Sequence, residues 1–382
     1  MTTLRTPHPL AHCTAALLAA ALLAAACAPA TNVPERNVPA TPAPTAASCT
    51  FANPVARGAD PWVVHEDGHY YMAQAQNSEG EQSTIWVFRS AKLTDLRRDS
   101  VKVWTAPDTG WNQTHVWAPE IRLIDSRWFI YYAGGRPGLA DAPFIHQRSG
   151  VIRAVGSDPQ GAYEDLGQLD TGGEVATRAD DVWAIDLTVH RLGGQLYAVW
   201  SGWTDNTPLA RTPQHLFIAR MSNPWTVSGP RVLLSSPTES WERRVDPTDG
   251  LDLLEGPQFL ERDGRVFIVY STRESWTPAY RLGMLRLNAL DADPMQPASW
   301  TKTGPVFAAA NGVYGPGHNG FAKSPDGTED WLIYHAKVDT GPNWNRVIRL
   351  QRFGWRADGS PDFGEPVPSG QPLAVPSGEC AR

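Results

Sequence analysis

The chain of 382 residues is 42% hydrophobic, 19% charged and 10% aromatic, with 33 Gly, 33 Pro and 16 Trp but only 4 Cys. This profile excludes a disordered chain, a collagen and a disulfide-rich mini-protein, and it leaves ample apolar material for a large core. The formal net charge of −7 disfavours nucleic acid as a partner, because that binding relies on Lys and Arg displacing counterions.

Arg5 precedes an Ala/Leu-rich run from Ala15 to Ala26 that is too short to span a bilayer as a stable helix, the pattern of an export signal over residues 1–26. Leu22 to Cys27 resembles a bacterial lipobox, with Ala24 where Leu is usual. Cys27 is therefore the expected lipidated first residue, with cleavage at a neighbouring Ala as the alternative. Residues 27–48 are Pro, Ala, Thr and Asn with almost no large apolar side chain, and they read as a flexible tether before a folded domain over 49–382. The expectation is an exported protein, secreted or lipid-anchored at the cell envelope. Membrane contact is expected only through that anchor, and no protein partner is implied.

Cys49 and Cys380 are the only cysteines of the expected domain, 331 residues apart, and an exported protein is expected to bridge them. The first and last segments of the domain then meet. No Cys-x-x-Cys pair occurs, which argues against a structural zinc site.

From residue 49 onward the pattern is all-β. Short runs of Val, Ile, Tyr, Phe and Trp alternate with turn pairs such as Asp67-Gly68, Gly193-Gly194, Asp263-Gly264, Asp326-Gly327 and Asp358-Gly359. Five segments share one grammar: a polar residue beside a small residue or Pro, a short strand, a tight turn, then an aromatic-rich strand. Asp60, Glu120, Asp186, Glu255 and Asn319 mark the five, at spacings of 60, 66, 69 and 64 residues. The return strands are His69–Met72, Trp128–Tyr132, Leu196–Trp200, Val266–Tyr270 and Trp331–His335. Five units at a near-constant period predict a five-bladed β-propeller, with the first strand of each blade lining a central channel. Five polar residues then converge at one mouth, where long loops build a pocket, and residues 136–182 and 203–250 are long enough to block one end of it.

The motifs Asn53-Pro54-Val55 with Gly58-Ala59-Asp60-Pro61, Trp117-Ala118-Pro119-Glu120, Ile185-Asp186, Glu255-Gly256-Pro257 and Gly317-His318-Asn319-Gly320 resemble glycoside hydrolase family 43. So do Arg349, Gln351, Trp355 and the closing Asp358-Gly359-Ser360-Pro361. The resemblance runs from Asn53 to Pro366 and implies an inverting glycosidase in which Asp60 is the general base, Glu255 the general acid, and Asp186 the residue that orients the acid and raises its pKa. Inversion needs a base that activates water on one face of the sugar ring and an acid that protonates the leaving oxygen on the other. Seen alone, Asp60 before Pro is a common turn opening. Asp186 between Ile185 and Leu187 is harder to place as structure, since a buried charge needs a partner. Asp246, Asp249 and Asp252 are rivals to Glu255 that lie off the repeat.

The resemblance further implies that His318 lies near the channel axis, beside a cation such as calcium or hydrogen-bonded without one. It also implies that Arg349 reaches the sugar or the acid. Trp62 and Trp117 either stack on the sugar or pack between blades. The single-domain build resembles the family's arabinofuranosidases and arabinanases, which implies an α-L-arabinofuranosidase, exo-acting on α-1,5-linked oligosaccharides from plant arabinan or arabinoxylan. Endo-arabinanase and β-xylosidase are the alternatives within the family, and a non-catalytic sugar-binding propeller is the alternative outside it.

Overall fold

A computed structural model describes residues 49–380 apart from 79–80, 141, 173–181, 206–211 and 247–249. The expected export signal, Cys27 and tether lie outside the described residues. Blade one is formed by Trp62–Glu66, His69–Gln76, Thr84–Ser90 and Asp99–Thr105, each antiparallel to the next. Blade two takes Thr114–Ile124, Arg127–Gly135, Arg148–Ala154 and Tyr163–Gln168, and blade three takes Ala184–Leu192, Gln195–Gly202, His215–Asn223 and Thr226–Ser235. Blade four takes Leu254–Arg262, Arg265–Thr272, Arg281–Leu287 and Trp300–Phe307. Blade five begins with Tyr314–Lys323, Asp330–Lys337 and Arg346–Trp355, and receives its fourth strand, Ala56–Arg57, from the other end of the domain. The fold is an all-β five-bladed propeller, with no α-helix among the described residues.

The return strands read as unbroken apolar runs because both faces of each sheet are covered. Along a strand successive side chains point to opposite faces, so Ile130 and Tyr132 pack toward blade one with Tyr71 and Val87, while Phe129 and Tyr131 pack toward blade three with Leu187 and Trp200. The ring is completed where Tyr70 and Met72 of blade one meet Ile333, Ile348 and Leu350 of blade five. Hairpin turns at Asp67-Gly68, Asp125-Ser126, Gly193-Gly194 and Asp263-Gly264 place both central residues at positive φ, which matches the right-handed twist of the flanking strands.

A ring of sheets leaves two loose ends, and three devices join them here. Ala56–Arg57 pairs with Val347 and Ile348 of blade five. The Asn53 amide imitates a strand, donating to Leu350 O at 2.7 Å and accepting from Leu350 N at 2.9 Å. Thr50–Ala52 pairs with Pro372–Ala374, and beside this pair the expected Cys49–Cys380 disulfide is present with Cα atoms 6.0 Å apart.

The stretches 136–182 and 203–250 are not simply loops. They contain the third and fourth strands of blades two and three, and among their described residues Ala142, Pro143, Phe144, Ile145, Trp203, Thr212 and Gln214 reach the channel mouth. The repeat markers also need a shift of phase. The equivalent positions are Asp60, Ala118, Asp186, Gly256 and His318, which all adopt left-handed φ values between 41° and 54°. In blades two to five the register slips at this point, between Trp117 and Glu120, Ile185 and Thr188, Glu255 and Gln258, and Gly317 and Gly320. A bulge of this kind re-aims a side chain. Glu120 lies two residues beyond the kink, one pleat deeper in the channel.

Candidate active site

A cavity of about 840 Å³ opens at the channel mouth, and Asp60, Asp186, Glu255, His318 and Trp117 all line it. The structure thus brings the three sequence-predicted carboxylates together from blades one, three and four. Asp186, Glu255 and His318 are buried. The small residues of the ring make room for the polar ones: a Cβ on Gly256 would stand 3.2 Å from the His318 ring.

Asp60 is surrounded by cationic and donor groups. Its Oδ1 lies 3.2 Å from Arg346 Nη1, 3.3 Å from His318 Nδ1 and 3.1 Å from His335 Nδ1. Burial alone would push this carboxyl up, but Arg346, His318 and His335 together hold it well below the usual carboxylate range. His335 is fully buried, and burial followed by the Arg346 charge pulls its pKa down to about 3, so the ring is neutral. Its Nε2 has no partner. The Asp60 backbone N–H donates to His335 Nδ1 at 3.2 Å, which makes Nδ1 the acceptor and leaves the ring proton on Nε2. His318 behaves oppositely: burial disfavours its charge, but Asp60, Asp186 and Glu255 outweigh burial and raise its pKa.

Glu255 and Asp186 are both pushed up. Burial raises Glu255 to about 7, with the Asp186 charge adding to it and a hydrogen bond from Tyr280 opposing it. Burial likewise raises Asp186 to about 6, opposed by His318 and by the Gly256 N–H that donates to its Oδ2 at 3.0 Å. Glu255 is the group of this pair that retains its proton longer, because the His318 charge, followed by the Gly256 N–H, favours the ionised form of Asp186. The site therefore holds an ionised carboxylate and a protonated carboxyl at one neutral pH, which is the requirement for paired base and acid work.

Beneath the mouth a buried polar layer closes the channel. Arg122 donates to Glu120 at 2.9 Å and to Gln258 at 3.2 Å, and it also bonds Thr188, while Gln258 donates to Glu120. Trp62 belongs to this layer. Its Nε1 donates to Ile121 O at 2.6 Å and the Arg122 guanidinium lies 4.0 Å from its ring centroid, so it packs between blades and does not line the cavity.

Arg349 is likewise elsewhere. It is buried on blade five, donating to Val367 O at 2.5 Å, Ser369 Oγ at 2.9 Å and Tyr334 OH at 3.3 Å, and the arginine at the site is Arg346. The reason is the strand period. Residues 346 and 349 are three apart and face opposite sides of the sheet. Of the rivals to Glu255, Asp252 is tied to Arg243 at 2.9 Å and to Arg244 N at 2.8 Å, and Asp249 lies outside the described residues.

Sequence reasoning missed Arg346, His335, Tyr280 and most of the aromatic wall. Trp117 stands edge-on to Phe144 at 4.9 Å, Trp183 stacks on Trp203 at 4.9 Å, and Trp276 meets Trp344 at 5.8 Å, all at the cavity. Trp344 is 58% exposed, an unusual position for so large an apolar surface. His335 was visible as the polar end of an apolar return strand; the others carry no signal apart from their type. A calcium beside His318 would draw most of its oxygens from water. Calcium takes six to eight oxygens, His318 Nδ1 faces Asp60, and no three His, Cys, Asp or Glu side chains converge as a cage among the described residues.

The model of glycosyl hydrolases family 43 matches residues 51–361. An extracellular exo-α-(1→5)-L-arabinofuranosidase of Streptomyces avermitilis is 38% identical over 85% of this chain and 65% of its own length. α-L-Arabinofuranosidase 43 of Humicola insolens is 35% identical over 85% of this chain and 67% of its own. The chain thus spans about two thirds of the length of these relatives. The crystal structure of an α-L-arabinofuranosidase from Lactobacillus brevis superposes with a TM-score of 0.72 at 32% identity, covering 84% of this chain and 98% of that one. With the propeller, the carboxylates at its mouth and a family match over nearly the whole described domain, the chain belongs to glycosyl hydrolase family 43.

Proposed function

We propose that the protein is an inverting α-L-arabinofuranosidase that removes terminal L-arabinofuranose from α-1,5-linked arabino-oligosaccharides. The observation that carries this reading is the opposite displacement of two carboxyls facing one cavity, Asp60 held ionised and Glu255 raised to about 7. Arg346 donates to Asp60 Oδ1 at 3.2 Å with the His318 and His335 rings packed beside it, which leaves Oδ2 to take a proton from water as the water oxygen attacks the anomeric carbon. Glu255 gives its proton to the departing glycosidic oxygen, and the C–O bond breaks with inversion. Asp186 keeps Glu255 protonated by placing negative charge beside it. Solvent exchange then returns the proton from Asp60 to Glu255.

The named activities of the Streptomyces avermitilis, Humicola insolens and Lactobacillus brevis relatives support the choice of sugar and, for the first, the exo mode. The cavity is aromatic on several sides, which suits a neutral sugar. The disulfide and the extracellular relative support export. Attachment through a lipid on Cys27 is the finer part of the proposal. Release of 4-nitrophenol from its α-L-arabinofuranoside, and of arabinose from α-1,5-arabinobiose, tests the activity, with Asp60→Ala and Glu255→Ala as controls. Hydrolysis of the β-D-xyloside alone would reassign the substrate, and mixed oligomers at early times from linear arabinan would indicate endo action. Absence of hydrolysis on all of them would leave a sugar-binding propeller.

A further inference from the structure

The Tyr280 hydroxyl donates to Glu255 Oε1 at 2.6 Å. Tyr280 is fully buried at the edge of the site, and its ring has space only because residue 317 is Gly: a Cβ there would lie 2.2 Å from Tyr280 Cε1. The phenol oxygen also hydrogen-bonds the Ser271 side chain, and Ser271 Oγ accepts the backbone N–H of His318 at 2.7 Å. The single Tyr280 proton goes to Glu255 Oε1, so the phenol oxygen can only accept from the Ser271 hydroxyl, and this sets the direction of the chain. It runs from His318 N–H to Ser271 Oγ, from Ser271 O–H to the Tyr280 oxygen, and from Tyr280 O–H to Glu255 Oε1. Such a directed chain in a dry interior polarises each member. The Tyr280 ring also lies parallel to His335, with centroids 5.5 Å apart and planes 8° from parallel, and His335 Nδ1 faces Asp60 Oδ1.

We infer that Tyr280 is a positioning residue for both halves of the proposed chemistry. Its hydroxyl keeps Oε1 of Glu255 as an acceptor, so the transferable proton resides on Oε2. Its stack on His335 sets how far Glu255 stands from Asp60, the separation that must admit one water. A phenylalanine would fill the same space, so packing alone does not require the hydroxyl. The inference rests on the roles proposed above for Glu255 and Asp60.

The test is Tyr280→Phe in the full chain, assayed with two substrates that differ in their need for an acid. α-1,5-Arabinobiose has a poor sugar leaving group that must be protonated, whereas 2,4-dinitrophenyl α-L-arabinofuranoside has a leaving group that departs unprotonated. The expected result is a fall in kcat of about tenfold to a hundredfold on arabinobiose, the scale of one lost hydrogen bond to a charged group. The dinitrophenyl substrate should stay within about twofold, since general-acid assistance contributes little there. The alkaline limb on arabinobiose should move to higher pH, because the lost donor favoured the carboxylate form of Glu255. An equal fall on both substrates, or no fall with an unmoved limb, overturns the inference. Glu255→Gln in the same assays separates the two levels: if it loses arabinobiose but keeps the dinitrophenyl substrate while Tyr280→Phe behaves as wild type, only the role of Tyr280 fails. If Glu255→Gln retains arabinobiose, the acid assignment fails and the inference with it.

Discussion

Replacing Asp186 by Asn isolates the charge that holds the proton on Glu255. The amide keeps an oxygen for the Gly256 N–H now bound at 3.0 Å, so the local backbone is retained while the charge is lost. Burial, the larger cause of the raised Glu255 pKa, stays in place. For neighbouring carboxylates in an effective dielectric of about 20, the repulsion removed is on the order of 3 kcal/mol, or about two pKa units. The alkaline limb, set by a Glu255 pKa of about 7 in the native protein, should then fall to about pH 5. At pH 6 the acid would be about 90% protonated in the native protein and about 10% in the variant, roughly a ninefold loss of kcat/KM, with most of it recovered at pH 4.5. Initial rates on arabinobiose from pH 3.5 to 8 measure this directly. A proportional loss at every pH, or a limb that stays or rises, would refute the electrostatic role. Stability should move the other way. Both carboxyls have folded pKa values above their ordinary ones, so the stability they contribute is present in acid and lost as pH rises through about 6 and 7. Asp186→Asn should therefore melt above the native protein at pH 8, with the gap closing toward pH 4.5.

Arg349→Gln should lower Tm with little change in KM, since its bonds to Val367, Ser369 and Tyr334 are worth about 1–3 kcal/mol if left unmade. Arg346→Gln should instead raise the Asp60 pKa and move the acidic limb of activity upward, the sign that follows from losing a cation beside a carboxylate. Trp344→Ala should raise KM for arabinotriose several-fold, about 1 kcal/mol of lost stacking, and leave the aryl arabinoside unchanged; equal effects on both would place Trp344 against the terminal sugar. Treatment with EDTA tests the calcium expected beside His318: a fall in Tm and kcat restored by calcium would support it, and no change in either would count against a required ion.

The blade repeat was legible because a sheet covered on both faces needs apolar residues at every position of its return strand, and Tyr70–Met72 or Phe129–Tyr132 show this without any alignment. Asp186 stood out for a related reason, since a charge between Ile185 and Leu187 has no cheap structural role, whereas Asp60 and Glu255 were marked by their place at the head of a repeat and by the resemblance of their motifs to family 43. The phase of the repeat was less visible. Glu120 resembles a site residue in one dimension, yet the left-handed kink at Ala118 sends it one pleat deeper, into the layer with Arg122 and Gln258.

The sequence by itself determined the fold class, the blade order and the disulfide, because each depends on residue type and spacing along the chain, and it named the three carboxylates that the fold brings to one cavity. Only the tertiary structure decided which arginine meets Asp60, that Trp62 packs between blades, and that Tyr280 and His335 connect the two sides of the site. Those choices depend on which face of a strand a side chain occupies and on what another blade brings opposite it. Arg346 and Arg349 are the same residue type three positions apart, and the half-turn of a pleat separates a pocket wall from a brace for the end of the chain.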